Sequence, residues 1–450
     1  MSAHAPAATA TVRDPALPPG PRLPRAIQTA GFMLFGPRFL DACRRRYGHA
    51  VTFSTLFDNT FVMVFDPALT KQVFQGSNEQ LHAGEANALL GPILGERSVL
   101  LLDGAEHLRH RRLLLPPFHG RRMQAYADVM RDCADAEMDA WPVGEPFALL
   151  PSMQALTIGV ILRAVFGYEP GPEEDELRRR LREMIEPVAE PRGLLLMFTL
   201  GRLGNRRGAA QRFERSRRAV DEILYAEIAR RRADDRLRER DDVFSALLLA
   251  EDEDGRRLTD REVRDELVTL LLAGHETTAT GLAWTFDLLL HTPAVLQRCF
   301  DVDDAYLDAV VKEALRVRPV IPGVGRVVRG EPFRLGEYVI PPGVEINPSI
   351  RMIHRRADLY PDPGAFRPER FLADDAPDTY TWLPFGGGTR RCLGASFALM
   401  EMRVVLHRVL ERARLRAADP QPDTVQFRGI TLAPRNGTRV VLQAPPAAAS

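Results

Sequence analysis

The sequence is poor in several features that mark large protein classes. It has 4 cysteines in 450 residues (Cys43, Cys133, Cys299 and Cys392), scattered without the spacing of a disulfide framework or a metal-binding cluster. Such cysteine usage suits a reducing compartment. The formal net charge is zero, which argues against nucleic acid or another polyanion as a general partner.

Long apolar runs are also missing from the start of the chain. Residues 1–24 form a Pro/Ala-rich arm that ends in LPPGPRLP, and they contain no stretch long enough for a signal peptide or a membrane anchor. No linker divides the remainder, so we expect one domain over residues 25–450 and a cytoplasmic location. Lysine occurs only at Lys71 and Lys312, and we infer no function from that skew.

What the sequence does contain is a glycine-rich stretch, residues 385–394 (FGGGTRRCLG), directly before an apolar helix-forming run, residues 395–410. This order predicts an irregular loop that delivers the sulfur of Cys392 to the N-terminal end of a helix. Unpaired backbone N–H groups and the helix dipole favour a thiolate there. A shielded thiolate with one open face suits an axial iron ligand, although a lone cysteine is more often a small buried hydrophobe.

Five fixed positions decide between these interpretations. The stretch fits the pattern Phe-x-x-Gly-x-Arg-x-Cys-x-Gly at Phe385, Gly388, Arg390, Cys392 and Gly394. On this motif the chain resembles the cytochrome P-450 superfamily of haem-thiolate monooxygenases. The resemblance implies a mainly α fold with small β-sheet regions, built as a single haem-thiolate domain around haem b. It also implies that Cys392 is the axial ligand of the haem iron.

A long helix is predicted between a capping box, Thr259-x-x-Glu262, and the breaker Pro293. It would be roughly 30 residues long, or about 45 Å. Its centre, residues 273–278 (AGHETT), is poor helix material because of the glycine and the paired threonines. Such a local conflict is expected at a functional position.

The centre of this helix matches the family motif Ala/Gly-Gly-x-Asp/Glu-Thr. The match implies that Ala273 and Gly274 leave room for the haem and dioxygen. It implies that the Thr277 hydroxyl donates to bound dioxygen and that Glu276 helps to relay protons, so Thr277→Ala should uncouple NAD(P)H consumption from product. His275 fills the variable position and is not predicted to be a ligand. A helix break or an exposed acid is the structural alternative.

Four basic residues are predicted to reach the haem propionates. His107 and Arg111 are four apart and share one face of a predicted helix, where two donors could clamp an anion. An exposed basic helix turn is the alternative. The resemblance implies that this pair contacts the propionates and adds Arg326 and Arg390 to the set.

A third signature is Glu313-x-x-Arg316, a pair on one helix face, followed later by FRPERF, which contains Arg370. Such pairs are common and usually contribute little. The resemblance implies that Glu313, Arg316 and Arg370 form a buried triad that holds the cysteine loop, and that their role is structural to the haem site.

The resemblance also implies partners. No flavin or iron–sulfur domain accompanies the haem domain, so electrons are expected indirectly from NAD(P)H, through a ferredoxin or flavodoxin with its reductase. Docking is expected near Arg390, Arg391 and the basic surface after His107, which could include Arg109, Arg112, Arg121 and Arg122.

The resemblance implies substrate contacts for mostly aliphatic segments, at residues 81–102, 193–204, 317–325 and 430–432; ordinary core packing is the alternative. Their composition favours a small apolar substrate such as a terpenoid, steroid or fatty acid. A polyketide or an aromatic compound is less favoured. A non-turnover haem sensor or carrier, and an enzyme that rearranges peroxides without external electrons, are the alternatives. The intact Glu276-Thr277 pair favours the monooxygenase, with O2 as co-substrate.

Overall fold

The structure is a computed structural model that describes residues 17–56, 60–118, 122–189, 208–300 and 304–443. Helices dominate these ranges and the sheets are small. The predicted fold class is therefore confirmed. The predicted substrate segment 193–204 and most of the N-terminal arm lie outside the described residues.

The α-helices of the described ranges are α1 (Arg25–Ala30), α2 (Pro37–Tyr47), α3 (Pro67–Gln75), α4 (Ala83–Ala86), α5 (Gly91–Leu94), α6 (Gly104–Leu114), α7 (Arg122–Met138), α8 (Leu149–Ala164), α9 (Pro172–Ala189), α10 (Ala209–Arg232), α11 (Val243–Leu249), α12 (Asp260–Leu290), α13 (Pro293–Arg298), α14 (Asp304–Val317), α15 (Ile350–Ile353) and α16 (Ala395–Arg412). The strands are β1 (Ala50–Phe53), β2 (Phe61–Val64), β3 (Leu81–His82), β4 (Pro146–Ala148), β5 (Arg326–Val328), β6 (Phe333–Leu335), β7 (Tyr338–Ile340), β8 (Glu345–Pro348), β9 (Leu415–Ala417), β10 (Val425–Arg428), β11 (Thr431–Pro434) and β12 (Arg439–Leu442).

Within the described residues, the strands form one larger sheet and three small ones. The larger sheet has the order β1-β2-β8-β5-β3, in which only β2 and β8 pair in parallel. The hairpin β10–β11 and the hairpin β6–β7 stand apart from it, and β12 pairs with both β4 and β9. These connections place Arg326 at the start of a buried central strand.

The helix α12 runs through the main apolar core and packs against α8, α14 and α16. Thr259 caps it with both bonds of the predicted capping box, and the helix ends at Leu290 shortly before Pro293. It continues through residues 273–278 without interruption, which excludes a break there. The helix is stable despite its weak centre because most of its side chains from Val263 to Leu289 are buried.

Part of the predicted N-terminal arm lies against the larger sheet. The backbone N–H of Thr52 donates to the Pro19 carbonyl at 3.2 Å, and its hydroxyl donates to the Pro18 carbonyl at 2.6 Å. A Cβ at Gly20 would lie 1.9 Å from the Thr52 carbonyl oxygen, so only glycine permits this approach. Residues 17–20 are therefore attached to strand β1.

Candidate cofactor site

The cysteine loop, residues 385–394, is a tight turn that depends on glycine. Gly386 and Gly388 both have φ near +65°, a conformation that other residues rarely adopt. A Cβ at Gly388 would also lie 1.9 Å from the carbonyl oxygen of Phe74 in α3. The N–H of Cys392 donates to the Phe385 carbonyl at 2.9 Å, which closes the loop. The sulfur is thus brought to the start of α16, as the sequence predicts.

Phe385 and Gly394 are the first and last motif positions of the loop. The ring of Phe385 packs edge-on against Trp382, with centroids 5.9 Å apart. Gly394 precedes the first residue of α16, and a Cβ built there would meet no atom of the chain within 4 Å. The start of the helix therefore has open space beside it.

The side chain of Cys392 is exposed. Desolvation raises the pKa of Cys392, although the Gly394 N–H and the charges of Arg111 and Arg391 act in the opposite direction. The N–H at the helix end therefore acts on the sulfur in the predicted direction, and the role of Cys392 as an iron ligand stays a prediction. A bound metal ion favours the deprotonated sulfur.

One face of α12 is accessible at its centre. Ala273 is exposed and Thr277 is partly exposed, whereas His275, Glu276 and Thr278 are buried. The Thr277 hydroxyl donates to the Ala273 carbonyl at 2.5 Å, which satisfies it within the helix. This face can adjoin a flat ligand at Ala273 and present a hydroxyl to it from Thr277.

Gly274 has a packing role within the fold. A Cβ at this position would lie 2.7 Å from Cδ1 of Ile161 in α8. The missing side chain therefore allows α8 to approach α12 closely. That Gly274 also makes room for the cofactor stays a prediction.

Glu276 is buried and held by two partners. Its Oε1 accepts a hydrogen bond from Nε of Arg428 at 2.9 Å, and its Oε2 accepts one from Nε2 of Gln154 at 2.7 Å. Burial raises the pKa of this carboxyl although both partners lower it. Arg428, at the end of β10, is itself partly exposed. The carboxyl group is therefore connected to the surface through an arginine that the motif did not reveal.

Four basic residues converge from α6, β5 and the cysteine loop. Burial lowers the pKa of His107 to about 3, with further lowering by Arg390, Arg111 and Arg326. Burial likewise lowers the pKa of Arg326 and of Arg390 to about 10. Within the described ranges, Nδ1 of His107 and Nε of Arg390 are buried without a hydrogen-bond partner. Unpaired buried donors and mutually repelling cations fit a site for an anionic group.

Arg390 is fixed by the preceding loop. Its guanidinium donates to the carbonyl oxygens of Val99 at 3.2 Å and Leu102 at 2.5 Å, and to Oδ1 of Asp103 at 2.5 Å. Asp103 also accepts from the N–H of Gly84 at 2.8 Å. Sequence reasoning missed Asp103, because its only signal was its place before the predicted basic helix.

The same loop is attached to the first half of α12. The N–H groups of Arg97 and Val99 donate to Asp265 and Glu266, each at 2.9 Å, and the Thr269 hydroxyl donates to Ser98 at 2.7 Å. Burial raises the pKa of Glu266 to about 7. Three successive loop residues are thus held by one face of α12.

The structure joins Glu313, Arg316 and Arg370 in one group. The fully buried Arg316 donates from Nε to Glu313 at 2.7 Å and from a terminal nitrogen at 2.8 Å, and Arg370 donates to the same carboxylate at 3.3 Å. The arrangement of the three residues agrees with the motif. Their role toward the cofactor stays a prediction.

A buried histidine connects this group to the cysteine loop. Arg316 donates to the His354 carbonyl at 2.9 Å, and Nε2 of His354 accepts the N–H of Leu383 at 2.8 Å, two residues before Phe385. Burial lowers the pKa of His354 to about 3, so its ring stays neutral. His354 lies in no recognised sequence motif, and only its contacts in the structure reveal this role.

Two arginines of the predicted docking surface are paired with acids. Arg109 donates to Asp252 at 2.7 Å and to Glu262 at 3.2 Å, and Arg112 donates to Glu253 at 2.8 Å. Arg391 remains exposed beside the cysteine. The side chains of Arg121 and Arg122 lie outside the described part of the chain, and docking near this surface stays a prediction.

These features are those of a haem-thiolate protein. The accessible sulfur of Cys392, the open space at Gly394 and Ala273, and the cation cluster with unpaired donors fit an iron porphyrin with two propionates. The sequence model "Cytochrome P450" matches residues 17–301 and 303–440. The chain belongs to the cytochrome P450 family.

Its relatives agree in length and fold. A Mycobacterium tuberculosis protein provisionally named cytochrome P450 135B1 is 41% identical over 438 residues, 95% of this chain and 92% of that protein. Another, provisionally named cytochrome P450 137, is 41% identical over 434 residues, 94% of this chain and 90% of that protein. The structure of retinoic acid bound cyanobacterial CYP120A1 has a TM-score of 0.81 at 23% identity, and the match covers 96% of this chain and all of that one.

Family membership supports a haem-thiolate oxygenase that uses haem b and O2. Within the described ranges, no helix combines the length and apolar character needed to cross a membrane.

Proposed function

We propose that this protein is a monooxygenase that inserts one oxygen atom of O2 into a small apolar organic substrate, with a terpenoid, steroid or fatty acid favoured. We propose also that a separate ferredoxin or flavodoxin with its reductase delivers the electrons from NAD(P)H. The observation that carries the proposal is the pair Glu276 and Thr277, in which a buried acid connected to the surface adjoins a hydroxyl on the accessible face of α12.

Haem held by Cys392, with its propionates at His107, Arg111, Arg326 and Arg390, would supply the oxidising chemistry when bound. The side chains of the protein itself would control proton transfer. Because burial raises its pKa, Glu276 holds a proton more readily than an exposed glutamate does.

The pair can move protons inward. The Thr277 hydroxyl can turn from the Ala273 carbonyl and donate to an acceptor beside the accessible face. A proton from the Glu276 side can then replace the one it gave. Arg428 reaches solvent and can open or close this route by holding or releasing the carboxylate.

An apolar substrate is supported by the accessible side chains of the predicted contact segments. Leu89 in the segment 81–102 is exposed, as are Phe427 and Ile430 in and beside the β10–β11 hairpin. CYP120A1 has the same fold and was solved with retinoic acid bound. That protein's ligand is largely hydrocarbon, which supports the apolar class without naming the substrate of this chain.

The substrate class is tested by a spin-state titration of the haem-loaded, full-length protein. Terpenoids, steroids and fatty acids are added in turn, with polar analogues of equal size as controls. We expect a low-to-high-spin change with one apolar class. A change with the polar analogues only would contradict the apolar proposal.

The reaction is tested with Thr277→Ala and the control Thr278→Ala, whose side chain is buried beside it. With a substrate found by the titration, we expect Thr277→Ala to lower product per NAD(P)H at least tenfold and to increase peroxide release, because proton delivery is impaired. Thr278→Ala should keep the wild-type ratio. A wild-type protein that binds substrate but never turns it over with reductase present would be a sensor or carrier.

A further inference from the structure

The N-terminal end of the fold carries an apolar surface that the site does not use. We define the N-terminal apolar patch as the exposed side chains of Leu23, Ile27, Met33, Leu34, Phe35 and Leu56. Met33, Leu34 and Phe35 are consecutive and are 71%, 74% and 61% exposed. Isolated exposed apolar residues are ordinary, but a cluster of large ones marks an interaction surface.

The patch is presented by a fixed scaffold. Helix α1 continues directly into a single π-helical turn, Gly31–Phe35, so its exposed residues lie on connected turns. Phe32, on the inner side of that turn, packs against Phe39, Phe53 and Phe61 with centroid distances of 5.0–5.8 Å. The patch is therefore the outer side of a segment whose inner side is anchored in an aromatic cluster.

Leu56 joins the patch from the end of the β1 strand region. Its N–H donates to the Thr29 hydroxyl of α1 at 3.0 Å, and the N–H of Ser54 donates to Gln28 at 3.0 Å. Gln28 also donates to the carbonyl of Leu23 at 2.8 Å. These bonds hold Leu23, Leu56 and α1 together at the same end of the fold as the π-helical turn that follows α1.

The charged residues in the stretch 15–40, which carries most of the patch, are of one sign. Residues 15–40 contain no Asp or Glu, whereas Arg22, Arg25 and Arg38 are exposed within them. The first acid, Asp41, pairs with Arg44 at 3.4 Å and Arg45 at 2.8 Å. An apolar surface bordered by arginines complements a bilayer with anionic headgroups, because each basic residue near such a surface adds to the attraction.

We propose that the N-terminal apolar patch binds peripherally to an anionic lipid surface. Met33, Leu34 and Phe35 enter the boundary between headgroups and acyl chains, and the neighbouring arginines lie at headgroup level. Binding of this kind needs no spanning helix. It stands on the patch alone and is independent of the proposed monooxygenase function.

The test is flotation of the haem-loaded, full-length protein with vesicles. One set is phosphatidylcholine with phosphatidylglycerol, and the other is pure phosphatidylcholine. We expect wild-type protein to float with the anionic vesicles and much less with the neutral ones, and we expect salt to weaken binding. The triple variant Met33→Ser, Leu34→Ser, Phe35→Ser should bind at least tenfold more weakly.

Two further variants separate the contributions. Val143→Ser with Leu372→Ser makes the same chemical change at exposed apolar positions outside the patch, and it should bind like wild type. Arg22→Gln with Arg38→Gln should lose most of the preference for anionic vesicles. An unchanged haem spectrum and circular dichroism would show that each variant is folded.

Three outcomes would overturn the proposal. The first is wild-type protein that binds neither kind of vesicle. The second is a triple variant that floats with the vesicles as wild type does. The third is a concentration-dependent dimer that the triple variant abolishes without any vesicle binding, since the patch would then be covered by a second copy.

Discussion

At the scale of single residues, the site depends on partners that fix a few reactive groups. Glu276 is held by Arg428 and Gln154, which both lower the pKa of its carboxyl while burial raises it. The balance between these effects sets the pH at which Glu276 can exchange a proton. The sequence motif identified Glu276, but it contained no information on either partner.

Replacing Arg428 by Ala should raise the pKa of Glu276. The change removes a positive charge and a hydrogen bond to the charged carboxylate, while the desolvation that raises the pKa remains. A hydrogen bond to a charged group contributes about 1.5–3 kcal/mol, so we expect an upward shift of about one pH unit or more. Infrared titration of the carboxyl band, assigned with Glu276→Gln, measures it.

Arg428→Lys is the matched control, because it keeps the charge and should give a smaller shift. Identical titration of the carboxyl in wild type and Arg428→Ala would show that Arg428 does not control Glu276.

At the scale of elements, a buried network joins α14, the turn around Arg370 and the cysteine loop. The Glu313 carboxylate accepts hydrogen bonds from both Arg316 and Arg370. Arg316 also donates to the His354 carbonyl, and the His354 ring accepts the N–H of Leu383. The i,i+3 spacing of the first pair was visible in the sequence. Burial of the pair was not, because spacing alone cannot distinguish a surface pair from a core pair.

Glu313→Ala should strongly destabilise the protein and weaken haem retention. The substitution leaves Arg316 buried without its carboxylate, and breaking a buried pair in this way costs about 3–5 kcal/mol. Urea unfolding of the loaded protein, followed by circular dichroism and by haem absorption, measures both effects.

Glu176→Ala is the control on α9. Glu176 also pairs with an arginine three residues later, Arg179, but at the exposed surface. Its replacement should leave unfolding unchanged within error, since exposed pairs contribute little. If the Glu313 and Glu176 variants gave equal unfolding curves, the buried network would not contribute to the stability of the protein.

At the scale of the whole molecule, α12 connects the loop of residues 97–99, helix α6 and the core. Glu266 is central to this connection, because it accepts the Val99 N–H at 2.9 Å and pairs with the buried His110 at 2.7 Å. The same loop carries the carbonyl groups that hold Arg390. The protonation of Glu266 is therefore coupled to the folding of the chain.

Wild-type protein should lose stability relative to Glu266→Gln as pH rises from about 5 to about 7. In the folded protein the pKa of Glu266 is raised to about 7 from its usual 4.5. The stability that this group contributes is complete below the lower value and is lost as pH rises through the upper one. The difference in Tm between variant and wild type, measured by calorimetry, should thus grow across this window.

Glu262→Gln, one turn earlier on the same helix, is the control with the opposite sign. The pKa of Glu262 is lowered, so its contribution is present above its usual pKa and is lost on acidification. Its Tm difference should not grow from pH 5 to pH 7. If the Tm difference between Glu266→Gln and wild type were constant from pH 5 to pH 7, protonation of Glu266 would not be coupled to folding.

The sequence by itself determined the features whose signals are local. The cysteine loop with its glycines, the capping box at Thr259 and the spacing of Glu313 and Arg316 each lie within about ten residues, and backbone geometry dictates their form. The family resemblance rested on these segments, which is why the fold class and the position of Cys392 were predictable.

Only the tertiary structure decided the partners. Arg428 is 152 residues from Glu276, and Glu266 is 167 residues from Val99. The contact between the Gly274 position and Ile161, and the raised pKa of the free Cys392 thiol, have the same origin. Which groups meet, and how far they are desolvated, depends on how whole helices and strands pack, and no short stretch of sequence specifies that.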